Sequence, residues 1–492
     1  MALTLDTDAL RDATLELLSS VGMKIEHEEL SALMLAKGCS TSSSGRILIP
    51  AELIAELVAG QKPTQAEDAD DQALMPWCGP DWSHWIMWTG TKQQMRERMR
   101  GEFLMSAFDC GPTQYYDYRS GSLIPVDTEI FVQMKKLAQA TPEIGYISTW
   151  YRQDVPQPTE RLASLILGMQ HTSKVDGIEA IDPRMIKYLV RVGEIMSGRP
   201  GDGRYLAGSQ CLISPLILDH RAAEDMMERN RVGVDRYHAA SMPTIGISTP
   251  VTVAGAVVIG AAEILGGMAA AWCLAPETDL TGRMISTVAD MRTADAASAG
   301  PESIMVTMGV KRLFEDHFGG HLWAETYFSP STNRPGLQAM YQNFHAASGR
   351  GRLSDNPDLP YPGMGTLDNG GVGSPAQLML DIEIRRSQWA LKDEVEVSDD
   401  TLIFAELCER VEGGETFLMS EHTLDHFRDL WTSELFPLSM PETGGAGDEA
   451  RVLDMCEERW RANVERWEPP NLPEDTLREL NAVLADASVE LL

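Results

Sequence analysis

Residues 242–280 read MPTIGISTPVTVAGAVVIGAAEILGGMAAAWCLAPETDL, and this stretch decides the fold. Its first part, 242–249, is short and partly β-branched and follows the polar 238–241, which suits a buried strand ended by Pro250. The next part, 251–274, is almost wholly apolar, rich in Ala and Gly, with Glu263 as its one charge, and Pro276 closes it. Length alone admits a membrane span. A carboxylate in mid-run is costly in lipid, and no basic cluster flanks the run to orient it. The stretch therefore reads as a strand–loop–helix unit whose helix packs closely on a sheet. In an α/β barrel the loop Ser248-Thr249-Pro250-Val251-Thr252 then faces the site.

Working outward, the same alternation recurs. Short apolar segments at 103–108, 145–150, 175–181, 205–212, 243–249, 281–288, 321–328 and 364–367 read as strands. Each of the first seven is followed by a helix-length stretch: 128–140, 160–171, 183–196, 217–230, 254–274, 302–318 and 334–347. Eight strands alternating with helices predict an α/β fold, a (β/α)8 TIM barrel at 101–373. The competing doubly wound sheet usually shows a Gly-rich phosphate loop after its first strand, and none follows here. Before the barrel, 1–100 reads as a helical segment, with helices at 10–22 (Asp8 as N-cap), 28–36 and 51–59 and a short strand at 46–49. Residues 61–72 read as an acidic linker. Trp77, Trp82, Trp85 and Trp88 form a cluster that suits a core or an interface. After the barrel, 374–492 reads as a helical extension packed on it. The extension opens with an amphipathic helix at 375–391 and includes a flexible loop at 441–449.

Composition limits the partners. The 492-residue chain carries a formal net charge of −32, which makes nucleic acid and anionic lipid poor partners. Seven Cys are scattered without a CxxC pair, so a reducing cytoplasm is expected and a disulfide framework is not. The opening MALTLDTDAL lacks the basic and apolar regions of a secretory signal. A homodimer is the default oligomer.

In a barrel, chemistry sits at the C-terminal strand ends. The polar and aromatic residues there include Trp150, Glu179, Gln210, Thr249, Asp290, Arg292, Glu325, Tyr327 and Asp368. This set is acidic and aromatic and poor in His, which suits a small cation held by carboxylates and by cation–π attraction. Asp290 and Glu325 are also the acid–base pair that a barrel lyase or hydrolase would use. The bland reading competes for each of them, since Asp290 can simply pair with Arg292 or cap a helix. Three other motifs are weaker. Glu421-His422 with His426 has a zinc-compatible spacing without the full HExxH order, so no metal is expected. Glu315-Asp316-His317 with Gly320 resembles DxHxxG, but it ends a helix. Gly370-Gly371-Val372-Gly373 could cradle a phosphate, but such loops are common.

Taken in order, several segments resemble one family, the trimethylamine and quaternary-amine:corrinoid protein methyltransferases. They are LRDATLELLSSVGMKIEHEEL with GRILIPAELIAEL, DYRSGSLIP (117–125), the 242–267 unit, ADMRTADAASAGPES (289–303), GTLDNGGVGSPAQLMLDIEI (365–384) and FLMSEHTLDHFR (417–428). The resemblance spans nearly the whole chain and implies a (β/α)8 barrel. It also implies methyl transfer from an N-methylated amine to the Co(I) of a corrinoid carried by a separate protein docked over the barrel mouth. Trimethylamine-specific members carry pyrrolysine near the end of the seventh strand. Here that region reads AETYFSPSTNRPG, all ordinary residues, so the chain resembles the non-pyrrolysine branch that acts on glycine betaine and related betaines. A betaine also needs a partner for its carboxylate. Arg292, Arg334 and the backbone N–H groups of 249–252 are the candidates. A non-catalytic amine-binding protein is the alternative.

Overall fold

The computed structural model describes residues 3–60, 105–108, 111–175, 177–208, 210–234, 236–276, 278–318, 324–326, 329–353, 364–391, 395–436 and 448–492. The acidic linker, the Trp77–Trp88 cluster, Tyr327 and most of the 441–449 loop lie outside them. The chain opens with α1 (Thr7–Ser20), β1 (Lys24–Ile25), α2 (Glu28–Ala36), β2 (Ser40–Thr41), β3 (Ile47–Leu48) and α3 (Ala51–Gly60). Asp6 rather than Asp8 caps α1. Its carboxylate accepts from the Ala9 N–H, and Asp8 lies within the first turn.

There follow β4 (Met105–Ala107), β5 (Gln114–Asp117), β6 (Ser122–Pro125), α4 (Thr128–Ala140), β7 (Ile144–Ile147), α5 (Gln157–Met169), β8 (Ile178–Glu179) and α6 (Ile186–Ser197). Next are β9 (Leu206–Ala207), β10 (Gln210–Leu212), β11 (Ile217–Leu218), α7 (His220–Arg231), β12 (Arg236–Ser241), β13 (Thr244–Ile245), α8 (Val253–Leu274), β14 (Asp279–Met284), β15 (Thr287–Ala289) and β16 (Ala296–Ala297). The chain continues through α9 (Pro301–His317), β17 (Ala324–Thr326), α10 (Leu337–Leu353), β18 (Thr366–Leu367), β19 (Val372–Gly373) and α11 (Pro375–Trp389). It ends with α12 (Asp399–Leu402), α13 (Phe404–Gly413), α14 (Glu421–His426), α15 (Asp448–Glu465) and α16 (Glu474–Leu491).

Successive strands lie side by side and run parallel, with helices between them. β4 pairs β7, Ile147 bridges Val175, β8 pairs β9, and β10, β12, β14 and β17 form one four-stranded ladder. This mixed α/β pattern matches the alternation read from the sequence. Among the described residues the strands make separate ladders rather than one closed ring. At the far end β18 turns antiparallel to β19, which pairs β5, and the Phe108 N–H reaches the Met364 carbonyl at 2.9 Å.

The deciding stretch is one strand out of place. The ladder strand before α8 is β12, 236–241, and the 243–249 segment contributes only β13, which pairs β15 in a small three-stranded sheet. Hydrophobicity favoured MPTIGIST, but RYHAAS alternates, and its odd residues are the ones that pack on α8. The helix itself forms as expected. It is long and apolar enough to cross a membrane by length and composition, and most of it is buried inside the protein. It packs against α1, α2, α9, β12 and β14. Its small residues permit that approach: a Cβ on Gly267 would lie 3.0 Å from the Ala239 methyl. Glu263, buried in the middle of the helix, accepts hydrogen bonds from Ser214 Oγ (2.8 Å), the Leu216 N–H (2.9 Å) and Ser241 Oγ. It ties α8 to the loop before β11 and to the end of β12.

The C-terminal helices close back on the first half of the chain. α15 packs on α11 and α4, and α16 packs on α5 and α6. Asp316 and His317 of the DxHxxG-like segment end α9, where they meet Thr7 and Arg11 of α1.

Candidate functional site

The parallel strands have a helix face and an opposite, interior face. Tyr237, Ala239 and Ser241 of β12 and Leu280, Gly282 and Met284 of β14 turn toward α8. Alternation then puts His238 and Ala240 of β12, and Thr281 and Arg283 of β14, on the interior face. In register, Cys211, Ala240, Arg283 and Glu325 are successive neighbours on β10, β12, β14 and β17. Neighbouring strands stand ~4.8 Å apart, so Cys211 and Arg283 are separated by about 10 Å. Cys211 and Arg283 of this row are half-buried, and Ala240 between them is buried.

One level below Arg283, His238 is buried. Its Nδ1 lies 2.7 Å from Thr281 Oγ1, and its Nε2 has no hydrogen-bond partner among the described residues. Burial drives its pKa well below the ordinary value, and the charges of Arg283 and Arg229 lower it further. The imidazole is therefore neutral near pH 7.

Glu179, at the end of β8, accepts a 2.9 Å hydrogen bond from Arg221 Nη1 in the first turn of α7. Cys211 also lies near Arg221, so this arginine stands between Glu179 and the Cys211 row. Arg161 adds a third guanidinium. It is only 8% exposed, lies over the Tyr151 ring, and feels the charge of Glu179. Its Nε has no hydrogen-bond partner among the described residues. The loop beneath it is braced by Glu160, which accepts from the Arg152 N–H (2.8 Å) and from Ser164 Oγ (2.6 Å). In a chain of net charge −32, Arg221 and Arg161 stand by Glu179, and Arg283 lies on the interior face of the neighbouring ladder. That pattern differs from the acidic, aromatic set expected from the sequence.

The remaining candidates scatter. Trp150 is fully buried in the core, edge-on to Phe108 at 4.8 Å, and a Cβ on Gly373 would lie 2.3 Å from its ring. That contact accounts for one glycine of the 370–373 loop. Gln210 points to the helix side. Its amide group donates to Asp225, and its oxygen accepts the His238 N–H at 2.8 Å, so both ends are engaged. Thr249 is buried in the loop before α8, where its hydroxyl donates to the Pro250 carbonyl at 3.1 Å. Asp290 and Arg292 sit together on the exposed β15–β16 turn, with Arg292 88% exposed. The Arg292 hydrogen bond holds the Asp290 carboxyl down at about 2. Arg334 is exposed. Asp368 is exposed with φ +50°, and its N–H bonds to Thr332. Glu325 is placed by register alone, opposite Arg283.

A sequence model described as trimethylamine methyltransferase (MTTB) matches residues 96–491. The chain belongs to the trimethylamine methyltransferase family. Among MTTB relatives, a trimethylamine methyltransferase MttB of Desulfitobacterium hafniense is 25% identical over 280 residues, which cover 57% of this chain and 55% of that protein. The chain thus spans about half the length of that relative. The Methanosarcina thermophila MttB is 22% identical, with 84% of this chain and 82% of that protein covered. A glycine betaine methyltransferase of Desulfitobacterium hafniense is 22% identical, with coverages of 69% and 70%. A solved monomethylamine methyltransferase of Methanosarcina barkeri aligns at 11% identity over 84% of this chain and 97% of that one, with a TM-score of 0.33, too distant to bear on the fold.

Sequence reading of this MTTB chain missed Arg161, Arg221, His238, Thr281 and Arg283. Two signals were present. The small residues Ala239 and Gly282 mark the helix-facing positions, which leaves His238, Thr281 and Arg283 on the other face. Arg221 follows the helix cap Asp219, so it stands where a first-turn side chain reaches a strand end.

Proposed function

We propose that this chain moves a methyl group from a quaternary amine, glycine betaine or a related betaine, to the Co(I) of a corrinoid held by a separate protein, within a (β/α)8 barrel. Arg283 on the interior face of the ladder supports this reading best. A betaine is a zwitterion, and Arg283 offers a guanidinium for its carboxylate. It stands on a rigid strand facing the interior, whereas Arg292 and Arg334 face solvent. Guanidinium–carboxylate pairing is directional and fixes the far end of the substrate.

The residues then act by positioning. With the carboxylate held low in the row, the trimethylammonium end points outward, toward the loops 242–252 and 285–297. The neutral His238 leaves the cation unopposed by a like charge. The corrinoid supplies the nucleophile for the methyl group, and the tertiary amine departs neutral, so no general acid is required. The loops at that end carry exposed Ile247, Val251 and Met291, with Val251 and Met291 close about Gly246, an apolar rim that fits an approaching protein surface. The acid–base alternative fits less well. Asp290 is solvent-exposed and strongly acidic, the opposite of a carboxyl tuned to hold a proton at neutral pH.

The test mixes the protein with a Co(I) corrinoid protein and glycine betaine, proline betaine, carnitine, choline or trimethylamine. Loss of the Co(I) absorption together with release of the demethylated amine is expected for a carboxylate-bearing quaternary amine and not for trimethylamine. Binding of an amine without transfer would favour the non-catalytic reading. Silence across the panel with a competent corrinoid protein would remove the proposal.

A further inference from the structure

Residues 395–436 leave and rejoin the body between α11 and α15. Ser433 donates to buried Glu383, the Glu434 N–H bonds the same carboxylate at 2.8 Å, and Glu434 pairs with Arg459. Beyond this anchor, 395–431 forms an arm of α12, α13 and α14. Ser420 is its one buried residue, and among the described residues no hydrogen bond or ion pair ties the arm to the rest of the chain. It is nonetheless well-formed helix. Ser398 caps α12 in a reciprocal capping box, and Arg410 pairs with Glu406.

The arm is apolar where a helix that ended in solvent would be polar. Phe404, Leu407 and Val411 make one stripe along α13, at a spacing that shares a helix face, and Leu418, Leu424 and Phe427 are exposed further along the arm. Together they expose roughly 700 Å², above the ~300–600 Å² patch an ordinary monomer carries. That approaches the ~800 Å² per partner of a stable interface.

A second uncovered stripe lies on α10: Leu337, Tyr341 and Phe344, each more than half exposed. The surroundings of the two stripes differ in charge. The arm holds ten acidic residues against Arg410 and Arg428. From Ser329 to Leu353, around α10, there is no Asp or Glu, and Arg334 and Arg352 are exposed, although Glu449 reaches the Leu337 N–H at 2.7 Å. Neither stripe is covered by the described residues of its own chain.

We propose that the arm of one copy lies on α10 of a second copy, and the reverse, in a two-fold dimer. One chain carries both halves of a complementary pair, so a symmetric exchange covers both stripes twice. The pairing does not depend on the chemistry proposed above.

The test is sedimentation of the full chain at micromolar concentration. Wild type is expected to run at twice the chain mass. Phe404→Asp with Leu407→Asp on the arm, and separately Tyr341→Asp on α10, are each expected to give monomer with unchanged helical circular dichroism. The α10 variant keeps the test valid if the arm variant loses helix. In a mixture of differently tagged chains, one carrying Leu407→Cys and the other Tyr341→Cys, a short bis-maleimide is expected to join the two tags above the single-variant controls. A wild-type monomer, a dimer that survives both variants, or cross-linking within one chain only would overturn the proposal. So would an arm that becomes protected only when the corrinoid protein is added.

Discussion

β12 and β14 carry buried polar groups on both faces, and the two faces treat them differently. On the helix face, Glu263 meets three donors, from Ser214, Leu216 and Ser241. On the interior face, two residues from the other end of β12, His238 keeps one ring nitrogen without a partner among the described residues, and Arg283 nearby is half-buried. Both groups are equally buried, so burial alone does not separate structure from function. What separates them is whether the protein itself answers the polar group. An answered carboxylate holds loops together, and an imidazole nitrogen with no partner among the described residues is a group the fold itself does not use.

The harshest way to break the helix-face side is Glu263→Ala. It strands three donors in the core, and stability is expected to fall by about 3–5 kcal/mol in urea or thermal denaturation. Glu263→Gln keeps an acceptor and should cost much less. If alanine costs no more than glutamine, the carboxylate does not hold the 214–216 loop.

A second answered carboxylate sharpens the rule by its pH dependence. Asp381 on α11 is fully buried, and it accepts from the Gly365 N–H (2.8 Å), Gln377 (2.8 Å) and Asn343 (3.0 Å). Burial outweighs these bonds and raises its pKa from 3.8 to about 6. The folded state therefore binds this proton more tightly than the unfolded chain. The resulting stabilisation is full below about pH 3.8 and is lost as pH rises through about 6. Relative to Asp381→Asn, wild type should lose ~3 kcal/mol across that window. Paired urea titrations from pH 4 to 7 measure the difference. A flat difference curve would mean that the carboxyl is not desolvated.

On the interior face the expected change is in activity rather than stability. Arg283→Gln should lower kcat/KM for glycine betaine by ~10–100-fold, mainly through KM, because a charged hydrogen bond to the carboxylate is lost. Choline has no carboxylate and should be spared, so the ratio of the two substrates is the readout. Equal losses on both would assign Arg283 to the packing of the row.

Much of the architecture was legible because it is written in period and punctuation. α2 and α4 fall at the predicted residues, and α8 is bounded by Pro250 and Pro276 as expected. The misplacement of the fifth strand is instructive. A scan for apolar runs prefers MPTIGIST to RYHAAS, because a strand with a polar interior face looks less like a strand. The same bias hid the site. Candidates were sought just beyond the strand ends, whereas His238 and Arg283 lie within strands, and Gln210 was counted although its side chain faces a helix. One-residue parity decides which face a side chain takes, and parity is legible only once a helix-facing small residue such as Gly282 is fixed.

The smallest expected effect tests the exposed turn against the interior row. Asp290 and Arg292 are the most conspicuous charged pair in ADMRTADAASAGPES, and the pair was a natural catalytic candidate. In the structure it closes a turn: the Asp290 carboxylate accepts from the Arg292 N–H at 2.8 Å and from its guanidinium. The Arg292 bonds keep the carboxyl ionised down to about pH 2. Because the folded pKa is lowered, any stabilisation is present above pH 3.8 and fades only as pH falls toward 2, far below the pH at which methyl transfer would be assayed. Asp290→Asn should therefore leave the pH profile of activity between 5 and 9 unshifted and change thermal stability little, as expected of an exposed pair screened by water and salt. A shifted acid limb in that profile would return Asp290 to the chemistry and place the reacting groups on the β15–β16 turn instead of on the strands beneath it.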